Sequence, residues 1–95
     1  MIASFRCKET QGLFDGLVSR KIAADCPRVA QRKLQMLDAA AKLDDLRAPP
    51  ANHLEALLGD RKGQHSIRIN NRWRICFIWN PSSANAEEVE IVDYH

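Results

Sequence analysis

The chain has 95 residues, 45% of them hydrophobic and 27% charged, which predicts one folded domain over residues 1–95 and argues against disorder. Its formal net charge is only +2, and no apolar run approaches the roughly 20 residues of a membrane span. The first residues lack the apolar core of a secretory signal peptide, so we expect a cytoplasmic protein.

The cysteines predict neither a disulfide framework nor a zinc site. Cys7, Cys26 and Cys76 are odd in number, lie far apart and form no C-x-x-C pair. The chain also lacks a P-loop, a G-x-S-x-G motif and a compact set of metal-ligating residues. We therefore expect structural or incidental thiols, no metal and no cofactor.

The first half of the chain predicts a short strand followed by two helices. Residues 2–6 predict the opening strand. Residues 8–18 predict the first helix, because Leu13, Phe14 and Leu17 follow the i, i+3, i+4 spacing of one helical face.

The second and longer helix is predicted over residues 27–46. Pro27 suits its first turn, where a backbone N–H would have no helical partner, and Asp25 or Cys26 precedes it as the cap. Apolar residues at helical spacing predict its buried face: Ala30, Leu34, Leu37 and Ala41. The paired prolines within residues 48–52 then stop the helix.

The second half of the chain predicts strands joined by turns. Residues 59–63 predict a turn, and Asn70-Asn71 predicts a tight hairpin because asparagine tolerates positive φ. The strands are predicted over residues 53–58, 66–70, 72–79 and 87–94. A strand, two helices and an antiparallel meander together predict an α+β fold, with the helices packed on a twisted sheet.

Alternation along the third of these strands separates an apolar face from a basic one. Trp73, Ile75 and Phe77 share one side, which we expect to be buried against the second helix. The residues predicted for the opposite, open face are Arg68, Arg72 and Arg74. Guanidinium groups bind phosphate oxygens with paired donors, so this face is a candidate phosphate-binding surface. A solvated face that carries arginines for solubility is the alternative.

Charge is also segregated along the chain. Residues 20–33 and 60–74 are basic stretches, each with a single aspartate, whereas residues 87–93 are acidic. Two such basic stretches can attract a polyanion such as a nucleic acid. Charge clusters are, however, more often only solvated faces.

Asp93-Tyr94-His95 is the second candidate for chemistry. Histidine can act as a general acid or base near neutral pH, and tyrosine can stack on a base or donate to a developing charge. Cleavage of RNA without a metal needs little more than a base, an acid and a cation that stabilises the phosphate. The alternative is that Tyr94 packs against the helices and His95 frays.

These segments together resemble the HigB or system-killer branch of the RelE/ParE toxin superfamily. The resemblance is carried by MIASFRCK, LDDLRAPP, LEALLGDRKGQHSIRINNRWRICFIW and VEIVDYH, which span nearly the whole chain. Within them the G-D-R-x-G motif, the S-I-x-x-N hairpin with W-R-I, and D-Y-H are specific in combination.

The resemblance implies a RelE-like fold and cleavage of translated mRNA in the ribosomal A site. It also implies neutralisation by a HigA-type helix-turn-helix antitoxin, through which operator DNA is bound. Carried onto matching positions, it nominates Asp93, Tyr94 and His95 as the active site, with Arg74 as phosphate clamp and Arg61 as RNA contact. The same basic stretch supplies the further candidate contacts Lys62, Arg68 and Arg72.

Two positions depart from the family pattern. Many members have histidine where this chain has Glu55 and lysine where it has Leu58. Glutamate can serve as a general base, so Glu55 joins the candidate catalytic residues. The charge missing at Leu58 predicts weaker RNA binding and a mild toxin. The alternatives are a non-catalytic partner of an antitoxin and a ParE-like gyrase poison on the same fold.

Overall fold

A computed structural model describes residues 1–93. The helices are α1 (Lys8–Phe14) and α2 (Pro27–Ala39), and short 3₁₀ turns follow at Leu43–Arg47, Pro50–Asn52 and Gly59–Arg61. The strands are β1 (Glu55–Ala56), β2 (His65–Arg68), β3 (Trp73–Asn80) and β4 (Asn85–Asp93). They form an antiparallel sheet in the order β1-β2-β3-β4, which confirms the predicted α+β meander.

The core lies between the helices and one face of the sheet. Trp73, Ile75 and Phe77 are at most 5% exposed and join Leu34 and Leu37 of α2 in the same buried cluster. This confirms the apolar face predicted from the alternation in β3. The helices therefore do not cover the opposite face of the sheet, which carries the candidate site residues described below.

The opening segment and the first helix are both shorter than predicted. Residues 2–6 contribute only two isolated parallel bridges beside β4, Ile2 to Ala86 and Phe5 to Val89. Helix α1 ends at Phe14, and Gly16 then takes a left-handed φ of 92°. Leu17 thus leaves the helical phase and is 66% exposed, so its predicted place on the buried stripe is wrong.

Helix α2 ends at Ala39, seven residues before the predicted end at residue 46. The side chain of Asp45 accepts the backbone N–H groups of Ala41 (3.0 Å) and Lys42 (3.2 Å), and Ala40 is extended. The chain therefore turns into the 3₁₀ segment instead of continuing the helix. Ala41 is exposed as a result, and its predicted burial is wrong.

The turns and strands also differ in detail from the prediction. The first meander strand is two residues long rather than spanning residues 53–58. The hairpin turn forms without positive φ: Asn70 Oδ1 accepts the backbone N–H groups of Arg72 (2.9 Å) and Trp73 (2.8 Å). In β4, Glu88 has a φ of 53° at the bulge where the register against β3 shifts. Within residues 1–93 no helix is both long and apolar enough to cross a membrane.

Candidate functional site

The strand register places two rows of side chains on the face of the sheet opposite the helices. Directly opposed residues of neighbouring strands share a face. One row consists of Glu55, Ser66, Cys76 and Glu90. The adjacent row consists of Arg68, Arg74 and Val92. Basic and acidic side chains are thus interleaved on this face, rather than arginines alone.

Glu55 and Arg74 form the central ion pair of this face. Arg74 Nη1 lies 2.9 Å from Glu55 Oε1 and also approaches Ser66 Oγ at 3.5 Å. The arginine side chain is 15% exposed, whereas the glutamate is 44% exposed. Strand β3 therefore holds the cation in a fixed position, while the carboxylate remains accessible from solvent.

Arg61 is held on the same face by Glu90. Its Nη1 donates to Glu90 Oε1 at 2.9 Å and to Gln64 Oε1 at 3.1 Å. The hydrogen bond to Glu90 raises the pKa of Arg61 above its ordinary value. Arg6 approaches the same carboxylate at 3.9 Å. Sequence reasoning missed Glu90, although its position between the buried Val89 and Ile91 could have indicated this face.

A cleft of about 420 Å³ opens beside these pairs, between the segment after β1 and the end of β4. Its lining residues are Glu55, Ala56, Leu57, Leu58, Arg61, Cys76, Val92 and Asp93. Burial raises the pKa of the Cys76 thiol, which therefore stays protonated at neutral pH. Within the described part of the chain, no three His, Cys, Asp or Glu side chains are grouped to hold a metal ion.

Asp93 also lines the cleft, but its ion pair is with Arg72. Arg72 Nε lies 2.9 Å from Asp93 Oδ2, and its guanidinium carbon lies 4.6 Å from the centre of the Trp73 ring. Asp93 is opposite Trp73 in the register. Arg72 therefore lies with Asp93 and Trp73 at the rim of the sheet, rather than beside Arg74.

The remaining predicted site residues occupy separate places. Lys62 is exposed and directly follows the 3₁₀ turn that carries Arg61. Arg68 is the register partner of Arg74 and donates to the side chain of Asn71. The predicted catalytic residues Tyr94 and His95 lie outside the described residues. The structure thus brings Glu55, Arg61 and Asp93 to one cleft, with Arg74 bound to Glu55 at its edge.

Such an arrangement provides a solvent-accessible carboxylate and fixed guanidinium groups around one cleft.

Residues 3–95 match the model of the HigB-like toxin family, described as the RelE-like toxin of the type II toxin–antitoxin system HigB. The chain belongs to this family. HigB-like toxins are components of toxin–antitoxin systems, so membership implies an antitoxin partner.

Individual relatives support the same family. The chain is 36% identical over 96 residues to "Endoribonuclease HigB" of Proteus vulgaris, covering 100% of both chains. It is 45% identical over 60 residues to "Toxin HigB-1" of Vibrio cholerae, and the match covers 63% of each. An uncharacterised protein of Haemophilus influenzae is 38% identical over 65 residues, covering 68% of this chain and 64% of its own. The matched part thus spans less than two thirds of the Vibrio and Haemophilus relatives.

Proposed function

We propose that this HigB-like toxin is an endoribonuclease that cuts mRNA on translating ribosomes without a metal ion. The observation that carries the proposal is the Glu55–Arg74 pair, in which an accessible carboxylate and a fixed guanidinium meet at the edge of the cleft. These are the two kinds of group that metal-free cleavage of a phosphodiester requires. The full-length similarity to a protein named as an endoribonuclease supports the same activity.

In the proposed reaction Glu55 removes the proton of the ribose 2′-OH. The 2′ oxygen then bonds to phosphorus as the bond to the 5′ oxygen breaks, leaving a 2′,3′-cyclic phosphate and a 5′-OH. Arg74 stabilises the charge that develops on the phosphate oxygens. The family resemblance implies the remaining roles. His95 protonates the departing 5′ oxygen, Tyr94 positions the nucleobase, and Asp93 belongs to the same active-site group as these two residues.

The proposal extends to the partners of the protein. Exposed Lys62 and partly exposed Arg61 lie beside the cleft and serve as RNA or ribosome contacts. The antitoxin is proposed to be of the HigA helix-turn-helix type, with operator DNA contacted only through it. A substrate on translating ribosomes requires a toxin that acts in the cytoplasm.

The test is cleavage of a defined mRNA on purified translating ribosomes. Glu55→Gln keeps the shape and removes the charge, so we expect a loss of roughly ten- to a hundredfold, typical of one acid–base group. Glu88→Gln is the matched control, because Glu88 is exposed on β4 and does not line the cleft. His95→Ala should lose as much activity as Glu55→Gln and still bind the antitoxin.

Two outcomes would overturn the proposal. If the parent protein leaves ribosome-bound mRNA intact, the protein is not a ribosome-dependent nuclease. If Glu55→Gln cuts as fast as Glu88→Gln, the carboxylate is not the base, and the mechanism given above is wrong.

A further inference from the structure

A second groove lies at the outer edge of β2, where β1 has ended. β1 pairs only with His65 and Ser66, so the rest of this edge faces the 3₁₀ segment Pro50–Asn52. The groove has a volume of about 390 Å³. Its lining residues come from α2, the segment after Pro50, and the β2–β3 turn: Lys33, Ala51, His53, Arg68, Ile69, Asn70 and Asn71.

The two cations of this groove, Lys33 and Arg68, differ in their partners from the arginines in and around the first cleft. Arg61, Arg72 and Arg74 each lie within ion-pair distance of a carboxylate. Arg68 instead donates to the backbone oxygen of Asn70 at 3.1 Å and to the side chain of Asn71. Both acceptors of this guanidinium are neutral, so neither offsets its positive charge.

Lys33 is also held by a neutral acceptor rather than by a carboxylate. Its Nζ donates to the side-chain oxygen of the buried Asn52, and within residues 1–93 no carboxylate lies within ion-pair distance of it or of Arg68. Burial lowers the pKa of Lys33, with a further contribution from Arg32, so this ammonium is incompletely solvated. Asp25 accepts a 3.4 Å hydrogen bond from Asn70, one of the residues that line the groove.

Among residues 1–93, amide side chains and the exposed His53 line the groove and no acidic side chain does. Positioned cations that lack an internal counterion attract an anion, and phosphate oxygens accept from both guanidinium and ammonium donors. The groove therefore has the chemistry of a site for phosphate groups, and not that of a second acid–base centre.

A register pair between two arginines links the groove to the edge of the first cleft. Arg68 lines the groove and lies directly opposite Arg74 in the register. Ser66, to which Arg74 donates, precedes Arg68 by two residues, about 7 Å along the strand. One chain of phosphates can therefore pass from Arg74 over Arg68 into the groove.

We propose that this groove binds backbone phosphates of the single-stranded RNA that extends from the cleavage site, through Lys33 and Arg68. The inference rests on the proposed function, because it takes the cleft beside Arg74 as the cleavage site. It places Lys33, from the basic stretch over residues 20–33, on the RNA-binding surface, and it adds the segment that carries His53, which no motif in the sequence indicates.

The test measures binding separately from cleavage. A short single-stranded RNA with 2′-O-methyl groups cannot be cut, and its affinity for the toxin is measured by fluorescence anisotropy over a range of salt concentrations. We expect Lys33→Gln to weaken binding roughly three- to tenfold at low salt and to lower the salt slope by about 0.7, the value for one single-strand phosphate contact. Lys33→Arg, which keeps the charge, should bind within about twofold of the parent.

Lys8→Gln is the matched control, because Lys8 opens α1, which packs on β4 at the other edge of the sheet. Equal effects of Lys33→Gln and Lys8→Gln would overturn the proposal. So would a loss in Lys33→Arg as large as that in Lys33→Gln, since the role of Lys33 would then be its bond to Asn52. If Lys33→Gln keeps RNA affinity but weakens association with the antitoxin, the groove is a protein-docking site and the proposal is also wrong.

The outcome is distinguishable from failure of the proposed function. If the toxin leaves ribosome-bound mRNA intact but binds the modified RNA through Lys33, the RNA-binding groove stands and the proposed nuclease activity is wrong. If the toxin cuts mRNA but Lys33→Gln leaves its affinity for the modified RNA unchanged, the nuclease activity stands and the proposed groove is wrong.

Discussion

His65 carries a polar atom that the surrounding residues do not satisfy. Its Nδ1 is buried and has no hydrogen-bond partner among residues 1–93, while its ring stacks on Phe77 with centroids 6.3 Å apart. Phenylalanine keeps an aromatic ring at this position and removes the unpaired Nδ1 together with Nε2. We expect His65→Phe to stabilise the fold by about 1 kcal/mol, which raises Tm by roughly 4–8 °C in a domain of this size.

The measurement is thermal unfolding followed by circular dichroism, with His65→Ala as the control. Alanine also removes the nitrogen but loses the packing against Phe77, so its Tm should fall below that of the parent. A lower Tm for His65→Phe than for the parent would show that the imidazole contributes more than its ring contact.

Leu58 offers a gain of function at the mouth of the cleft. It is 83% exposed and lines the cleft, and the family resemblance implies a lysine at its position. Leu58→Lys adds a cation with no core packing to lose, so we expect RNA affinity to rise roughly two- to fivefold at low salt and Tm to stay within about 2 °C.

Leu17→Lys is the matched control for this gain. Leu17 is 66% exposed on the loop after α1 and does not line the cleft, so the same change of charge there should have a smaller effect. Equal gains from the two variants would mean that only net charge matters and that Leu58 is not beside bound RNA.

At the residue scale, the sequence predicted the cations better than their partners. Alternation is a local property of one strand, and it correctly placed Arg74 on the face away from the helices. The pairing of Arg74 with Glu55, and that of Arg61 with Glu90, depends on the register between strands. A shift of one residue would change every such pair, so one strand pattern alone cannot predict them.

At the scale of elements, α2 ends just before a side chain that caps the next 3₁₀ turn. Asp45 Oδ2 accepts the backbone N–H groups of Ala41 and Lys42, as a helix-capping residue does. The apolar spacing through Ala41 favours a longer helix. Hydrophobic periodicity carries no information about side chains that compete with the helix for backbone N–H groups, as Asp45 does here. The sequence therefore predicted where α2 begins, at Pro27, but not where it ends.

Asp45→Ala tests this account. It removes both hydrogen bonds to the turn, so we expect a loss of about 1 kcal/mol in the free energy of unfolding, the usual value for losing a cap. Asp44→Ala is the control on the same turn, since it removes only a surface ion pair with Arg47 and should change the free energy of unfolding much less. Urea unfolding of both variants gives the comparison, and equal losses would contradict the capping role.

At the scale of the molecule, the order of elements and the buried face of the sheet were predictable from the sequence. Both follow from periodicity, which differs clearly between α2 and β3. The distribution of charge was only partly predictable. The basic stretch over residues 60–74 does reach the open face, but it meets carboxylates from β1 and β4 there. The groove beyond β1 arises from elements far apart in sequence, so no motif marks it.

The whole-molecule prediction concerns association with the ribosome, a polyanion much larger than the toxin. Arg74→Ala removes the cation at the edge of the cleft, and it should weaken cosedimentation with ribosomes several-fold at low salt. The loss should shrink as salt rises, because a phosphate contact releases counterions.

Arg47→Ala is the control: its side chain is 70% exposed on the 3₁₀ turn, and the change of charge is identical. A melting curve checks that the loss of Arg74, which is 15% exposed, leaves the fold intact. A loss that is independent of salt, or equal in the two variants, would show that the arginine face is merely solvated and binds no phosphate.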